Sequence, residues 1–338
     1  MRQAIMTSPG KIVFQNIEKP KPGPGEVLLK IKRIGVCGSD VHVWHGKHPY
    51  TSYPVIQGHE FSATLVGLGD GVTNFKVGSL VTATPQEVCG VCGPCRRGDY
   101  HICDQLKVRG FQAPGVAQDY FITQADKIVS LPENFSLEQG AFVEPVSVAV
   151  HSTQKAGEIK NKNVVVLGAG PIGNLIAQSA KAGGANVLIT DISEYRLEIA
   201  KKCGIQNISN SRIEKLKVAS KRVFGEKGFS VAFECVGIEE TMSNVIESIE
   251  KGGTVVVVGV FGEKPRVDLG LVQDRELKLV GTLMYKYEDY VQATKSIENG
   301  SVILEPLFSK HFKFENYNEA YNFIDQQGER SMKVFIDL

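Results

Sequence analysis

The chain has 338 residues, enough for two domains, and its composition, 42% hydrophobic and 22% charged, is that of a soluble globular protein. A formal net charge of +1 gives no electrostatic reason to expect binding to nucleic acid or to a membrane surface. We find neither a signal-peptide core nor an apolar run of membrane-spanning length, so we predict a cytoplasmic protein whose seven cysteines are thiols or metal ligands.

The first predicted strands lead to a group of metal-ligating side chains. Alternating apolar residues from Val27 to Ile31 indicate a strand that delivers the chain to Cys37, and His59 and Glu60 follow after a loop. One sulfur, one nitrogen and one oxygen donor suit a four-coordinate zinc ion that keeps a position open for chemistry. The alternative is a buried cysteine and a hydrogen-bonded loop histidine.

A hydroxyl and an imidazole lie close to the first of these ligands. Ser39 and His42 are two and five positions beyond Cys37. Next to a metal, the hydroxyl can take a proton from a substrate alcohol and pass it to an imidazole that reaches solvent. We therefore predict a proton relay through these two residues. The alternative for His42 is an ordinary surface histidine, which we assume for His45 and His48.

A cluster of four cysteines follows two further short strands, in a segment rich in glycine. Its members are Cys89, Cys92, Cys95 and Cys103. Four closely spaced thiolates can surround one tetrahedral ion without leaving an open position, which predicts a structural zinc. An iron–sulfur cluster is one alternative, and disulfides are another that the absence of a signal peptide disfavours.

A carboxylate lies in an otherwise apolar helical segment at residues 140–152. Glu144 is followed there by Pro145. A buried carboxylate without a partner would be costly, so Glu144 needs one. The partner is a metal ion or, alternatively, a backbone group or a lysine.

A different pattern begins at Asn163, where a β-branched run precedes a glycine-rich turn and a helical repeat of apolar residues. The turn has the form G-x-G-x-x-G between strand and helix, which lets a pyrophosphate approach the helix N-terminus. The cofactor contacts predicted in this turn are Gly168, Gly170, Pro171, Ile172 and Gly173.

The next strand ends in an acid. Asp191 can accept hydrogen bonds from the ribose hydroxyls of NAD and would repel the additional phosphate of NADP. The alternative is a plain helix N-terminal acid. Arg196 follows five residues later and can stack on the adenine or soften the preference for NAD.

Strands and helices then alternate until six strands are complete, the last at Leu277–Gly281. Such alternation is typical of a doubly wound parallel sheet. Val236, Gly237 and Gly259 lie just past strand ends and are further candidates for contact with the cofactor. Beyond residue 282 the pattern breaks, and the final predicted strand is Lys333–Ile336.

The chain resembles the zinc-containing medium-chain dehydrogenases over its whole length. The resemblance rests on GVCGSDVHVW, GHE, the four-cysteine segment, VEPVSVAVH and VLGAGPIG. Within this family it is most similar to the polyol branch, which includes sorbitol dehydrogenase, and next to the butanediol dehydrogenases. The resemblance implies an α/β protein with a GroES-like, mostly β catalytic domain over 1–150, a six-stranded Rossmann domain over 151–281, and a C-terminal return to the catalytic domain over 282–338.

The resemblance also implies roles for the site residues. Cys37, His59 and either Glu60 or Glu144 would hold a catalytic zinc, and the four clustered cysteines a structural one. The implied reaction is hydride transfer from a substrate alcohol to NAD, with the relay described above removing the proton. Adjacent residues on an extended chain point to opposite sides, so we predict that Glu144 is the resident ligand and that Glu60 assists exchange at the metal.

One departure from the family concerns the substrate. Sorbitol dehydrogenases usually carry Arg-Tyr soon after the last Rossmann strand, whereas this chain has Met284 and Tyr285. The difference argues against sorbitol itself and leaves other polyols, sugar acids, small diols and threonine open. The resemblance further implies a homotetramer in which the valine-rich segment 254–260 pairs across a subunit interface. The alternative from another class is a family member that binds a dinucleotide without turnover.

Overall fold

The computed structural model describes every residue from Met1 to Leu338. Residues 1–155 form mainly short strands, as the alternation of apolar and polar residues predicts, followed by one long helix. In chain order these elements are β1 (Arg2–Ser8), β2 (Lys11–Asn16), β3 (Glu26–Val36), α1 (Gly38–Trp44), β4 (Glu60–Leu68), β5 (Leu80–Ala83), β6 (Gln86–Glu87), α2 (Gly93–Arg96), β7 (Lys107–Val108), β8 (Tyr120–Gln124), β9 (Ile128–Ser130) and α3 (Leu137–Lys155).

The middle of the chain alternates strands with helices. Its elements are β10 (Asn163–Leu167), α4 (Pro171–Ala182), β11 (Asn186–Asp191), α5 (Glu194–Lys202), β12 (Asn207–Asn210), α6 (Leu216–Phe224), β13 (Val231–Glu234), α7 (Glu239–Ser248), β14 (Thr254–Val257), α8 (Leu269–Asp274) and β15 (Lys278–Gly281). The six strands form one parallel sheet in the order β12-β11-β10-β13-β14-β15, which confirms the predicted doubly wound arrangement.

The break in pattern at residue 282 marks the end of the parallel sheet and not the end of regular structure. Four elements follow: α9 (Tyr287–Glu298), β16 (Phe308–Lys313), α10 (Tyr317–Gln327) and β17 (Lys333–Asp337). The last of these contains the predicted strand Lys333–Ile336. β17 pairs with β16 in parallel and with β3 in antiparallel orientation, so the end of the chain joins the sheet formed at its beginning.

The chain forms two compact units. The first contains residues 1–144, 286–298 and 308–338, and the second contains 145–285 and 299–307. The division lies inside α3, between Glu144 and Pro145. Residues 299–307 lie between two segments of the first unit in the chain and belong to the second unit.

The first unit is built on a seven-stranded sheet with β3 at its centre. β3 pairs with β4 along one edge and with β8 and then β17 along the other. Helix α1, which follows β3, is held by aromatic stacking: the Trp44 ring lies 4.7 Å from the ring of Tyr321 on α10. The Tyr321 hydroxyl in turn donates to Gln57 at 2.6 Å, which ties the loop before β4 to the same core.

The valine-rich strand β14 has no free edge. It pairs with β13 on one side and with β15 on the other. The backbone groups of Thr254–Val257, the first part of the segment 254–260, are therefore used within the sheet, and the edge strand on this side is β15. No helix combines the length and the apolar composition needed to cross a membrane.

Candidate functional site

β3 and β4 bring three of the predicted zinc ligands together. Gly35 near the end of β3 pairs with Glu60 at the start of β4, so Cys37 lies beside His59. The Cys37 sulfur, one imidazole nitrogen of His59 and one carboxylate oxygen of Glu60 all lie within 4.8 Å of one another. His59 and Glu60 do not point to opposite sides, because His59 precedes the strand and follows Gly58, where the backbone turns with φ of 93°.

Asp40 is a charged partner of this cluster that the sequence analysis missed. Its carboxylate accepts a hydrogen bond from the Cys37 backbone N–H at 3.0 Å, and its Oδ1 lies 3.8 Å from Nδ1 of His59. Burial raises the pKa of Asp40. Burial also opposes the charged form of His59, but Asp40 and Cys37 outweigh it and hold the pKa of the imidazole well above its ordinary value. The sequence did contain a signal for this contact, because Asp40 comes three residues after the N-cap residue Cys37, where an acid commonly bonds back to the N-cap backbone.

Glu60 is paired with a buried lysine from the far end of the chain. The ammonium of Lys333 on β17 donates to both carboxylate oxygens of Glu60, at 2.6 and 2.8 Å, and to the carbonyl oxygen of Val36 at 3.2 Å. Desolvation opposes the charge of Lys333, but Glu60 outweighs it and raises the pKa of the ammonium. No local pattern could have revealed this pair, because its partners are 273 positions apart.

Glu144, the other candidate carboxylate, is buried in α3. Its charge raises the pKa of both His59 and Lys333, so it lies near the same cluster. Glu60 is the carboxylate within ligand distance of Cys37 and His59, but both of its oxygens are bonded to Lys333. The two acids thus approach the cluster from different elements, and Lys333 competes with a metal for the oxygens of Glu60.

The two residues of the predicted relay lie on α1. Ser39 is half-buried near the start of this helix, and His42 lies three residues later at its surface. Residues three apart are neighbours on one helix face. Partial desolvation and the nearby His45 and Lys47 lower the pKa of His42, which favours the neutral imidazole that can accept a proton.

His48, which we expected to be an ordinary surface residue, packs against the site. Its ring stacks on Phe111 with 4.7 Å between centroids, and the Phe111 ring lies 5.0 Å from that of His59. The Thr51 hydroxyl lies 2.7 Å from Nδ1 of His48. Sequence reasoning could not find this contact because Phe111 comes from a separate loop.

The donor set of the first cluster suits zinc. A thiol, an imidazole and a carboxylate are ligands that zinc prefers, and three protein ligands leave one tetrahedral position for a substrate. Nδ1 of His59 is buried and makes no hydrogen bond. This nitrogen faces the carboxylate of Asp40 at 3.8 Å, so the fit to a metal rests on the donor set and its spacing.

The four clustered cysteines meet as predicted by their spacing. Their sulfur atoms all lie within 4.8 Å of one another, with Cys103 at 3.8 Å from Cys92 and 3.6 Å from Cys89. A tetrahedral zinc with bonds of about 2.3 Å requires sulfur–sulfur separations of about 3.8 Å. Desolvation and the neighbouring thiols raise the pKa of Cys95 to about 12, so thiolates here need a cation. The geometry therefore suits a closed zinc site.

The glycine-rich turn lies between β10 and α4, as predicted. Gly170 is the N-cap of α4 and Pro171 opens its first turn. A Cβ placed on Gly173 would lie 1.9 Å from the carbonyl oxygen of Gly168, so only glycine allows this close approach of turn and helix. At Gly170 the nearest atom to such a Cβ is Nη1 of Arg196 at 3.9 Å, which leaves space for a ligand at the helix N-terminus.

Asp191 and Arg196 flank this turn. The Asp191 carboxylate is buried and accepts hydrogen bonds from the backbone N–H groups of Ala169 at 2.6 Å and Ser193 at 2.8 Å. These bonds fix Asp191 to the turn and leave its oxygens further lone pairs for a ribose. Nε of Arg196 is buried without a hydrogen-bond partner, which suits a residue that meets a ligand.

The remaining predicted cofactor contacts lie at the ends of the next two strands. Val236 and Gly237 follow β13, and Gly259 follows β14. The side chain of Val236 lies 2.9 Å from the position of a Cβ on Gly168, so it borders the glycine-rich turn. Val236 therefore borders the glycine-rich turn, whereas Gly237 and Gly259 are in contact with each other.

Known proteins match this chain along its length. The sequence pattern of the alcohol dehydrogenase GroES-like domain matches residues 23–133, and that of the zinc-binding dehydrogenases matches residues 171–299. The chain is 34% identical to a sorbitol dehydrogenase of Halalkalibacterium halodurans, with 99% of each chain covered. It is 33% identical to a 2-dehydro-3-deoxy-L-galactonate 5-dehydrogenase of Pseudoalteromonas atlantica, with 94% of this chain and 92% of that one covered.

Solved structures share this fold over nearly the whole chain. A protein of Sinorhizobium meliloti 1021 assigned to the zinc-binding dehydrogenases and bound to NADP superposes with a TM-score of 0.91. It is 26% identical to this chain, and the alignment covers 100% of this chain and 99% of that one. With the two zinc-type clusters and the dinucleotide turn in place, these similarities establish that the chain belongs to the zinc-binding dehydrogenase family, with an alcohol dehydrogenase GroES-like domain.

Proposed function

We propose that the protein is a zinc-dependent dehydrogenase that transfers a hydride between NAD and a secondary hydroxyl of a polyol or sugar-derived alcohol. The observation that carries the proposal is the convergence of Cys37, His59 and Glu60 within 4.8 Å, beside the helix that holds Ser39 and His42. These residues supply a metal site with an open position and a proton path next to it. The same chain supplies the dinucleotide turn.

In this proposal Cys37, His59 and either Glu60 or Glu144 hold the catalytic zinc, and Cys89, Cys92, Cys95 and Cys103 hold the structural one. When bound, the catalytic zinc lowers the pKa of a substrate hydroxyl and stabilises the negative charge that develops there. Asp40 orients the imidazole of His59, and Lys333 balances the charge of Glu60.

Ser39 accepts the proton of the substrate hydroxyl as it donates its own proton to His42, and the imidazole of His42 then releases a proton to solvent. The hydroxyl and the imidazole are three residues apart on α1, and the lowered pKa of His42 keeps it neutral and able to accept a proton. The second unit would hold NAD, whose nicotinamide would supply the hydride acceptor. The backbone at the N-terminus of α4 binds the pyrophosphate, and Asp191 and Arg196 bind the adenosine half.

The substrate class rests on the relatives, which act on sorbitol and on a deoxy sugar acid according to their names. Met284, where sorbitol dehydrogenases usually carry arginine, has a backbone φ of 50° and is half-buried. A thioether cannot donate hydrogen bonds to a polyol as a guanidinium does. This difference favours a polyol or sugar acid other than sorbitol, with a small vicinal diol or threonine as the second candidate.

We also propose that the protein works in the cytoplasm as a homotetramer. None of the seven cysteines forms a disulfide, and five of them are the proposed zinc ligands, which suits a reducing compartment. Strand β15 ends the parallel sheet and has Leu279 and Leu283 exposed in and just after it, so its edge and apolar side chains are available to another subunit.

A substrate screen tests the proposed reaction. We expect NADH absorbance to appear with stereoisomeric polyols or sugar acids, at kcat/KM values about tenfold or more above those for simple secondary alcohols, because unpaired polar groups in the pocket cost about 1–3 kcal/mol each. Highest activity with butanediol or threonine would support the second candidate. Silence of the zinc-loaded protein across all these classes would instead favour a dinucleotide-binding protein without turnover.

The two metal sites should differ in how easily they lose zinc. We expect two zinc ions per chain by elemental analysis, and mild chelation should remove the open catalytic one first and abolish turnover while the fold persists. Cys95→Ser should lower both zinc content and thermal stability. Cys203→Ala, at a buried thiol outside both clusters, is the matched control and should retain both ions. One ion or fewer in fully active protein would contradict the two-site assignment.

The two carboxylates should respond differently to substitution. Glu60→Ala would leave Lys333 as a buried unpaired cation, which costs about 3–5 kcal/mol, so glutamine is the informative replacement. We expect Glu144→Gln to lose zinc, and Glu60→Gln to retain it with lower kcat, as measured by metal analysis and steady-state kinetics. Glu138→Gln, on the same helix as Glu144, is the control. Loss of zinc from the Glu60 variant alone would reverse the two roles.

The cofactor preference should depend on Asp191. We expect kcat/KM to favour NAD⁺ over NADP⁺ by roughly two orders of magnitude, because a buried carboxylate repels a phosphate and binds ribose hydroxyls through charged hydrogen bonds. Asp191→Ser should weaken the use of NAD⁺ and reduce this ratio. Glu198→Ser, an exposed acid on α5, should leave the ratio unchanged. Equal rates of the unaltered enzyme with both cofactors would disprove the assignment.

A further inference from the structure

Glu234 is a fully buried carboxylate at the end of β13 that no cation neutralises. Its side chain accepts hydrogen bonds from the backbone N–H groups of Val236 at 3.0 Å and Gly237 at 2.9 Å, and from the Thr241 hydroxyl at 2.7 Å. Its backbone carbonyl oxygen accepts from the N–H of Gly259 at 2.8 Å. A charge buried in this way is stabilised only by the donors aimed at it, so the turn after β13 is built around this side chain.

The same residue links two loops that follow neighbouring strands. A Cβ on Gly237 would lie 2.6 Å from the carbonyl oxygen of Val260, and a Cβ on Gly259 would lie 2.3 Å from the nitrogen of Gly237. The added atom on Gly259 would also lie 2.8 Å from Oε2 of Glu234. The backbones of the two loops are therefore in direct contact, with the carboxylate of Glu234 between them.

These loops lie on one side of the point where the strand order reverses. β10 has β11 on one side and β13 on the other, and a dinucleotide binds across such a point in doubly wound sheets. Asp191, at the end of β11, is on the side of the adenosine half. Val236 borders Gly168 of the glycine-rich turn from the opposite side. The loops after β13 and β14 are thus on the side of the nicotinamide half.

We propose that Glu234 is a positioning residue that holds the turn of Val236 and Gly237 in the shape that receives the nicotinamide half of the dinucleotide. The inference rests on the proposed function. This role explains why a charged residue occupies position 234, where burying an apolar side chain would cost less free energy. A carboxylate has only acceptors, and all of its neighbours here are donors.

Glu234→Gln keeps the shape of the side chain, and with the amide oxygen in place of Oε1 the new NH2 group takes the place of Oε2 and faces the N–H donor of Gly237 at 3.1 Å. We expect the Kd of NADH to rise about tenfold or more, since an unmatched buried polar group weakens what it supports, while the Kd of ADP-ribose changes less than about twofold. ADP-ribose lacks the nicotinamide, so the ratio of the two constants separates positioning from general damage. Both are measured by calorimetry on the zinc-loaded protein.

Two further variants complete the test. Glu240→Gln removes a charge from an exposed position on α7 and should leave both constants unchanged. Thr241→Val removes one donor and keeps the carboxylate, so it should raise the Kd of NADH relative to that of ADP-ribose by a smaller factor. If Glu234→Gln does not fold, the result for Thr241→Val tests the inference. Equal weakening of both ligands, or no change in their ratio, overturns the inference.

The result is separable from that of the substrate screen. If no alcohol is oxidised but the unaltered protein binds NADH and the ratio shifts as expected, the inference stands and the proposed reaction fails. If alcohols are oxidised and the ratio does not shift, the reaction stands and the inference fails. Unaltered protein that binds no dinucleotide overturns both.

Discussion

The antiparallel pairing of β3 with β4 and β17 is the constraint on which the catalytic unit depends. Pairing with β4 sets Cys37 beside His59 and Glu60, and pairing with β17 delivers Lys333 to the same place. A shift of one residue in either register would turn these side chains to the other face of the sheet. The register at the centre of the sheet therefore sets which side chains meet at the site.

Charge balance explains why this site needs both a lysine and a metal. The buried acids Asp40, Glu60 and Glu144 surround a single buried lysine and one imidazole. Carboxylates so close together raise one another's pKa unless cations compensate, and Lys333 compensates chiefly for Glu60. A divalent ion held by Cys37 and His59 would balance the remaining charge.

The second unit uses buried carboxylates for a different purpose. Asp191 binds the backbone of the glycine-rich turn, and Glu234 binds the backbone of the turn after β13. Each acid is the last residue of its parallel strand, where the loops of a doubly wound sheet approach a ligand. Loops without side-chain support would be mobile, so fixed acceptors at the strand ends give the cofactor surface a defined shape.

The fold class, the two zinc-type clusters and the dinucleotide turn could all be predicted from the sequence, because each depends on local patterns or short spacings in the chain. Cysteine spacing defines the closed cluster, and the glycines between β10 and α4 define the turn. The folded structure was needed to show that Lys333 occupies the oxygens of Glu60, that His48 reaches the site through Phe111, and that β14 has no free edge. These contacts join segments far apart in the chain, where neither periodicity nor spacing carries information about the partner.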